Sequence, residues 1–487
     1  MSQAEIDDLL QSWLPTLPEP QVARVRRWLT SGIDLLTDYS GSGQAERVLH
    51  DIKTCVARCC PEADPEEFKV SCLRSCDIER HCQKVLVATG RMLGEDSCVF
   101  GDMTMRLPAM LREKLSQLVE SYRARCQEQR QRDNAKKAKV ISEFGELFVS
   151  EVVPILREHL PLFDLDCMQH CYTHGRQCAA YPKSPSRASG GLRINICGIS
   201  CQDWSIRGNQ MGILGQGAIP LLTLMWDVLG GQYDVVIAEC TATFREDHLA
   251  RFLQAYKDTF KEFGGFSVQA AVFSPVQLGI PCERVRKYMV VTNASSLAWA
   301  PSPSGTTVGS ARFNERNLLC LFARELRTTG SVFLEATPKA QVRLEVERLA
   351  AAAHMPTRDG TGRRWPMRLV LSGGMKRLLQ KHRAHLQERG IAHDAELFAT
   401  IDQNPNRSSL VPVIPALLRR SAVWSYKHDR LMLATEHLAV QGIRLGSAAE
   451  EAKLTATEMK ILAGNAMNHS ALAAVVLFAL SSLTVKA

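Results

Sequence analysis

Short runs of apolar and β-branched residues alternate with longer amphipathic patterns along the chain from Gly32 onward. Most of these runs end in a glycine or a polar cluster, which is typical of a buried strand that leads into a loop and a helix. The predicted strands are Ile33 to Asp38, Val70 to Ser75, Cys98 to Phe100, Leu192 to Cys197, Asp234 to Ala238, Val268 to Phe273 and Tyr288 to Thr292. This alternation predicts an α/β fold, in which a mostly parallel sheet is covered by helices on both faces.

Two segments interrupt the alternation. Residues 107–190 begin with a charged helix and pass into a Cys/His cluster, so they predict a helical insertion on the surface. Residues 294–425 lack the strand and helix pattern and predict a smaller, separate lobe. The apolar run from Ala471 to Val485 contains two serines and is shorter than the roughly 20 residues that span a bilayer, so it predicts a buried terminal helix.

The composition is that of a soluble protein with a large core, since 45% of its 487 residues are hydrophobic and 23% are charged. Disorder, a collagen-like chain and a membrane bundle are therefore disfavoured. The net charge of +8 suits a polyanionic partner such as nucleic acid, without identifying one. The chain opens with the acidic stretch MSQAEIDDLL and has sixteen cysteines, so we expect an intracellular protein with reduced thiols.

Candidate ligand-binding residues follow the first three predicted strands. Ligands of parallel α/β sheets bind beyond the carboxyl ends of the strands. Gly41 and Gly43 allow a tight turn after the first strand, and Asp77 and Glu79 follow the second, where a ribose would offer its hydroxyls. Asp102 follows the third and is able to accept a hydrogen bond from an adenine amino group. Each feature alone also fits an ordinary turn or helix cap, but together they predict an adenosine-type cofactor pocket.

Candidate catalytic residues follow the next strands. Cys201 lies on a loop after the fourth strand, where it could act as a nucleophile, or it is one of many inert core cysteines. Glu239 ends the fifth strand and needs a partner or a proton if it is buried. Arg284 and Arg286 precede the seventh strand, although surface arginines would give the same pattern.

In their order along the chain, these features resemble the C5-cytosine methyltransferase family from about Gly32 to the end. The segments that carry the resemblance are Tyr39-Ser-Gly41-Ser-Gly43, Asp77-Ile-Glu79, Gly101-Asp102, Ser200-Cys201-Gln202, Glu239-Cys240-Thr241, Cys282-Glu-Arg284-Val-Arg286, Arg430 to Glu436 with Gln441-Gly442, and Gly464-Asn465-Ala466-Met467. The resemblance implies a Rossmann-like S-adenosylmethionine-dependent methyltransferase fold with a seven-stranded, mostly parallel sheet and a smaller target-recognition lobe. The domains that it implies are an N-terminal helical extension, a catalytic domain with the inserted segment, a target-recognition region and a return to the catalytic domain, at residues 1–31, 32–293, 294–425 and 426–487.

The resemblance also implies a reaction, a cofactor and a partner. Cys201 would add to C6 of a flipped-out cytosine, Glu239 would hold its N3 edge, and Arg284 and Arg286 would assist. The residues implied in binding S-adenosylmethionine are Tyr39, Gly41, Gly43, Asp77, Glu79, Asp102, Asn465 and Ala466. The expected partner is DNA in the nucleus, with no membrane association.

Several positions depart from the family pattern. Ser200 replaces a proline, Cys240 and Thr241 replace Asn-Val, Cys282 replaces a glutamine, and Leu433 replaces a threonine. Two alternatives therefore stay open. One is a tRNA cytosine-5 methyltransferase of the same fold, and the other is a nucleic-acid-binding relative that has lost catalysis.

A second cluster contains five soft metal ligands within twelve positions, namely Cys167, His170, Cys171, His174 and Cys178. Such a group is able to form a tetrahedral structural zinc site, although the spacing is not that of a standard zinc finger. The alternative is a helix-loop segment with buried thiols and exposed histidines. The basic helix from Arg123 to Lys139 is either a solvated face or a contact for nucleic-acid phosphates.

Overall fold

A computed structural model describes residues 3–60, 64–133, 137–183, 190–205, 208–259, 265–301, 312–356, 358–359, 361, 363, 365–392, 394–403 and 410–486. Parts of the predicted insertion (134–136 and 184–189) and of the predicted lobe (302–311 and 404–409) therefore lie outside the described residues.

The strands are β1 (Ile33–Asp38), β2 (Val70–Cys76), β3 (Cys98–Phe100), β4 (Met168–Cys171), β5 (Arg176–Ala179), β6 (Leu192–Gly198), β7 (Val235–Thr241), β8 (Phe266–Phe273), β9 (Arg286–Asn293), β10 (Leu297–Trp299), β11 (Phe398–Thr400), β12 (Val423–Ser425), β13 (Arg430–Leu431) and β14 (Leu483–Val485). The α-helices are α1 (Gln3–Asp7), α2 (Leu9–Trp13), α3 (Glu19–Ser31), α4 (Gln44–Cys59), α5 (Arg80–Leu93), α6 (Ala109–Asp133), α7 (Lys137–His159), α8 (Ala218–Leu229), α9 (Glu246–Thr259), α10 (Glu315–Phe322), α11 (Val332–Glu335), α12 (Lys339–Ala352), α13 (Met367–Val370), α14 (Gly373–Glu388), α15 (Ala434–Val440), α16 (Ser447–Glu451), α17 (Ala456–Asn465) and α18 (His469–Ser482).

A seven-stranded sheet in the order β3-β2-β1-β6-β7-β9-β8 organises the larger part of the chain. All its pairs are parallel except those that β9 makes with β7 and β8. The strand β1, which lies between β2 and β6, is buried along its whole length, as expected of a strand that is covered on both faces. Each of the seven predicted strands is present, and the expected Rossmann-like α/β fold with a seven-stranded, mostly parallel sheet is confirmed.

The helices of the predicted insertion are part of the main core and do not form a surface appendage. Leu115 and Val119 of α6 and Phe148 and Val152 of α7 are buried in the same hydrophobic cluster as Leu36 of β1. The predicted surface location was therefore wrong for these two helices. Their many charged positions suggested exposure, but those charges lie between apolar residues whose helical spacing gives each helix one buried face. The Cys/His segment that follows forms the antiparallel hairpin β4–β5, and not a helix and loop.

The chain divides into two compact units. The sheet unit comprises residues 10–273, 286–322 and 472–487, and the second unit comprises residues 1–9, 274–285 and 323–471. The second unit has its own core around Trp424 and a three-stranded sheet, β11-β12-β13. This division differs from the predicted boundaries, because residues 294–322 belong to the sheet unit and 426–471 to the second unit.

The apolar C-terminal stretch behaves as a core helix. Within the described residues, the stretch Ala456–Ser482 alone is long and apolar enough to cross a membrane, but 78% of its most apolar window is buried inside the protein. In α18, Val475 and Val476 are fully buried. The predicted buried terminal helix is therefore confirmed.

Candidate active site

The turn between β1 and α4 is left-handed at three positions, namely Tyr39, Gly41 and Gly43, with φ values of 52°, 57° and 75°. Two of these are glycines, which adopt this conformation without steric cost. Gly41 donates its N–H to Oδ2 of Asp77 over 2.9 Å, so the turn is tied to the end of the neighbouring strand β2. The expected glycine turn therefore lies at the carboxyl edge of the sheet, directly before a helix N-terminus.

Asp77 supports the turn and the start of α5. Its Oδ1 accepts the N–H of Glu79 over 2.9 Å, while its Oδ2 holds Gly41. Burial raises the pKa of Asp77, although the two backbone N–H groups oppose that shift. Both oxygens of Asp77 are thus engaged within the protein, and Glu79, two residues further along the chain, is half-buried. Ile78, between them, is 72% exposed and offers an apolar surface beside these carboxylates.

Asp102 caps a short 3₁₀ turn. Its Oδ1 accepts hydrogen bonds from the backbone N–H and the hydroxyl of Thr104, at 2.9 and 2.8 Å. A side chain on Gly101 would begin 3.4 Å from the ring of Tyr172, which belongs to the β4–β5 hairpin. The position of Tyr172 beside Gly101 was not predicted, because Tyr172 is distant from Gly101 along the chain and belongs to no motif.

Cys201 lies on a turn beyond the carboxyl end of β6. Its carbonyl accepts the N–H groups of Trp204 and Ser205 at 3.2 and 2.9 Å, and its side chain is partly exposed. Just before it, the N–H of Ile199 donates to the carbonyl of Glu239 over 2.8 Å. The backbone that carries Cys201 is therefore attached directly to the end of β7.

The glycine-rich segment after Cys201 wraps around the buried residue Asp203. Gly217 donates its N–H to Oδ2 of Asp203, and Gly212 donates to the Asp203 carbonyl, both over 2.8 Å. A side chain on Gly215 would overlap the Asp203 carboxylate, so glycine is required there. Arg123 of α6 donates to the carbonyl of Leu214 over 2.6 Å and holds the far side of the segment. Neither Asp203 nor this use of the basic helix was predicted from the sequence.

Glu239 and Arg286 form a buried ion pair across β7 and β9. Nε of Arg286 lies 2.9 Å from Oε1 of Glu239, and the two side chains are only 13% and 6% exposed. The geometry of this contact is not that of a hydrogen bond, so Oε1 of Glu239 is still able to accept one. A side chain on Gly198 would begin 3.7 Å from the Tyr39 carbonyl and 4.0 Å from Oε2 of Glu239. The Glu239 carboxylate therefore lies where the ends of β1, β6 and β7 meet.

Cys240 links this carboxylate to the predicted nucleophile. Burial raises the pKa of Cys240, and the charges of the neighbouring Glu239 and of Cys201 raise it further. Cys201 is therefore one of the groups that act on the pKa of Cys240, the residue that follows Glu239. Cys240 itself is buried and stays a neutral thiol, which identifies it as a packing residue at the position where the family has asparagine.

A network of buried charges lies directly beneath the glycine turn. Asp38, the last residue of β1, is within 3.2 Å of Arg74 and 2.8 Å of Arg106, and Asn195 donates to it over 2.9 Å. Arg106 also lies 3.1 Å from Asp227. Burial alone would raise the pKa of Asp38, but Arg106 and Arg74 hold it below its ordinary value. Removal of one partner from such a network costs about 3–5 kcal/mol, so these pairs fix the backbone just before Tyr39.

Three of the predicted site residues lie in the second unit. Arg284 is buried and donates to the carbonyls of Leu417, Gly464 and Ala466 at 3.2, 3.2 and 2.8 Å. It therefore holds the segment that contains Asn465 and Ala466, and its catalytic role stays a prediction. In the same unit, the buried Arg430 guanidinium donates to both carboxylate oxygens of Glu436, at 2.8 and 2.6 Å. An internal ion pair therefore stabilises the segment from Arg430 to Glu436.

The predicted zinc ligands are only partly brought together. Cys171, His174 and Cys178 converge with Cys98, and their ligand atoms all lie within 4.8 Å of one another. Cys167 lies outside this group, with its thiol directed at the Met105 carbonyl over 3.9 Å. His170 is also outside the group and packs edge-on against the Tyr172 ring. The sequence analysis missed Cys98 because it belongs to β3, far from the local cluster.

No protein-family model matches the chain, and no curated protein matches its sequence. Among solved structures, a DNMT2 mutant of Spodoptera frugiperda is 13% identical with a TM-score of 0.39, and the match covers 92% of this chain and 99% of that chain. Methyltransferase EhMeth of Entamoeba histolytica is 10% identical with a TM-score of 0.43, and the match covers 92% of this chain and 97% of that chain. Dnmt2 methyltransferase of S. pombe is 12% identical with a TM-score of 0.40, and the match covers 91% of this chain and 96% of that chain. These structural neighbours include DNMT2 proteins. At such identities the similarity concerns the fold alone.

Proposed function

We propose that the protein is a cytosine-5 methyltransferase that transfers a methyl group from S-adenosylmethionine to cytosine in DNA. The observation that carries this proposal is the arrangement at the carboxyl edge of the sheet. There the buried Glu239–Arg286 pair adjoins the turn that presents Cys201, and the glycine turn at Gly41 follows the neighbouring strand. A thiol, a buried carboxylate and a nucleoside-type pocket at one edge are the groups that this reaction needs.

The residues around the glycine turn fit the proposed cofactor. Gly41 leaves space at the turn, because a side chain there would meet only the Tyr39 carbonyl, at 3.9 Å. Glu79 offers a carboxylate for ribose hydroxyls, and the exposed Ile78 offers apolar surface for a base. Bound there, S-adenosylmethionine would supply the methyl group as an electrophile attached to a positively charged sulfur.

Cys201 and Glu239 have complementary tasks. C5 of cytosine is a poor nucleophile, so the Cys201 thiolate would first form a bond to C6 and move electron density to C5. Glu239 would bind or protonate the N3 edge and offset the charge that develops on the ring. Arg286 fixes the orientation of that carboxylate from the opposite strand. After C5 has gained the methyl group, loss of its proton and departure of the Cys201 thiolate restore the aromatic ring. The base must leave the stack for C6 to be reached.

The proposal is tested by labelled methyl transfer onto double-stranded DNA and onto tRNA, measured side by side. We expect cofactor-dependent labelling of DNA cytosine at C5, with no labelling by Cys201→Ala. Labelling of tRNA alone would support the same methyl transfer, with tRNA as the substrate in place of DNA. Binding of DNA and cofactor without labelling of either nucleic acid would instead identify a binding protein that lacks this catalytic activity.

We expect Glu79→Ala to weaken the binding of S-adenosylhomocysteine by about 10- to 100-fold, because a hydrogen bond to a charged group contributes about 1.5–3 kcal/mol. Isothermal titration calorimetry measures this change. Glu67→Ala is the matched control, since Glu67 is an exposed acid on the turn before β2 and should leave the affinity unchanged. Equal affinities of the Glu79 variant and the wild type would remove Glu79 from the cofactor site.

A further inference from the structure

Four ligand atoms from β3 and from the β4–β5 hairpin meet at the edge of the seven-stranded sheet. Cys98 comes from β3, Cys171 from β4, His174 from the connecting turn and Cys178 from β5. Nδ1 of His174 lies 3.6, 3.2 and 3.5 Å from the sulfur atoms of Cys98, Cys171 and Cys178. Three sulfur atoms therefore surround one imidazole nitrogen at nearly equal distances.

These separations match the edges of a zinc coordination tetrahedron. Zinc binds thiolate sulfur at about 2.3 Å and histidine nitrogen at about 2.0–2.1 Å, so a tetrahedral site places sulfur and nitrogen about 3.6 Å apart. Thiolates and imidazole are the donors that zinc prefers in closed structural sites, where four protein ligands leave no position for substrate.

Asp96 supplies an independent observation that points to a metal. Its Oδ1 lies 3.0 Å from Nε2 of His174, the ring nitrogen that faces away from the three sulfur atoms. A carboxylate in this position fixes the tautomer and the orientation of the ring, and it strengthens the other nitrogen as a ligand.

The surrounding backbone explains what the site would stabilise. The hairpin β4–β5 has only four residues in each strand, and an isolated hairpin is marginally stable. Its hydrogen bonds to the edge of the sheet include those from the Tyr172 N–H to the Val99 carbonyl and from the Thr173 hydroxyl to the Ser97 carbonyl, both over 2.8 Å. A zinc ion bound by Cys98 and by the three ligands of the hairpin would add a coordinate cross-link between the hairpin and β3.

We propose that Cys98, Cys171, His174 and Cys178 bind one structural zinc ion, with Asp96 as the positioning residue of His174. The site anchors the hairpin to the sheet edge and thereby holds Tyr172 beside Gly101. It replaces the five-residue ligand set that the local sequence suggested, and it does not depend on the proposed methyl transfer.

Metal analysis of the full chain, purified with reductant and without added metal, tests this proposal. We expect about one zinc per chain, as for a closed four-ligand site, and less than about one tenth in Cys178→Ser. The matched control is Cys167→Ser, which changes a thiol next to the same hairpin but outside the cluster and should keep the metal. Asp96→Asn should bind zinc about 10- to 100-fold more weakly in chelator competition.

A second measurement keeps the test decisive if Cys178→Ser does not fold. X-ray absorption of the wild-type zinc protein should show three sulfur atoms and one nitrogen in the first shell. The proposal would be overturned if the wild type held no zinc after metal supplementation, or if its first shell contained fewer than three sulfur atoms. It would also be overturned if Cys167→Ser lost as much metal as Cys178→Ser. A disulfide between two of these cysteines in freshly purified protein would overturn it as well.

Discussion

Replacement of Cys201 with alanine is expected to reduce methyl transfer by at least about 10⁴-fold, because the pathway through a covalent bond at C6 is lost with the nucleophile. The same change should eliminate the covalent complex that wild type forms with DNA containing 5-fluorocytosine. In that substrate the C5 proton is replaced by fluorine, so elimination of Cys201 is blocked and the adduct persists. Denaturing gel electrophoresis with cofactor measures the trapped complex, and tritium transfer measures turnover.

Cys320→Ala is the matched control for this loss. Cys320 is an exposed cysteine on α10, and its replacement should leave both trapping and turnover at the wild-type level. Calorimetry with S-adenosylhomocysteine should show that Cys201→Ala still binds the cofactor, because the glycine turn and Glu79 are unchanged. Trapping by Cys201→Ala, or absence of trapping by a wild-type protein that methylates DNA, would contradict the covalent mechanism.

The positions of the strands along the chain, and of the loops that follow them, could be predicted because both depend on local patterns. Each of the seven sheet strands is a short apolar run between polar or glycine clusters, and the polar residues that follow lie at one edge in any parallel sheet. Asp77 and Glu239 therefore lie at the predicted edge, and their roles stay predictions. Both oxygens of Asp77 accept backbone N–H groups, a local contact that the sequence did not predict.

Features built from distant residues could not be predicted in this way. The buried charges of Asp38, Arg74 and Arg106 come from separate elements, and a charged residue in a strand pattern normally indicates an exposed position. Cys98 and Cys171 likewise meet only because the hairpin adds to the edge of β3. The sequence does show a cysteine, Cys98, at the start of a predicted strand. Its distance along the chain from the Cys/His segment gave no reason to group it with those metal ligands.

We expect Glu239→Gln to lower the turnover rate by about 10²- to 10⁴-fold, which is the range for loss of a positioned acid or of one electrostatic contact to a developing charge. The amide keeps the size of the side chain but loses its charge and its ability to hold a proton for N3. It also leaves the Arg286 guanidinium without its buried counter-ion, so a lower melting temperature should accompany the kinetic loss. Single-turnover methyl transfer at saturating DNA and cofactor separates the chemical step from binding.

Glu246→Gln provides a closely matched control, because Glu246 pairs with Lys287, the residue that follows Arg286 on β9. The Glu246 side chain is 40% exposed and that of Glu239 is 6% exposed, so water can solvate the partner of Lys287, and neutralisation of Glu246 should change the rate less than about threefold. Cofactor affinity should be unchanged in both variants, since Glu79 and the turn at Gly41 are untouched. If Glu239→Gln retained the wild-type single-turnover rate, the N3 edge would have to be held by another group, and the proposed role of the β7 carboxylate would be wrong even though Cys201 remained the nucleophile.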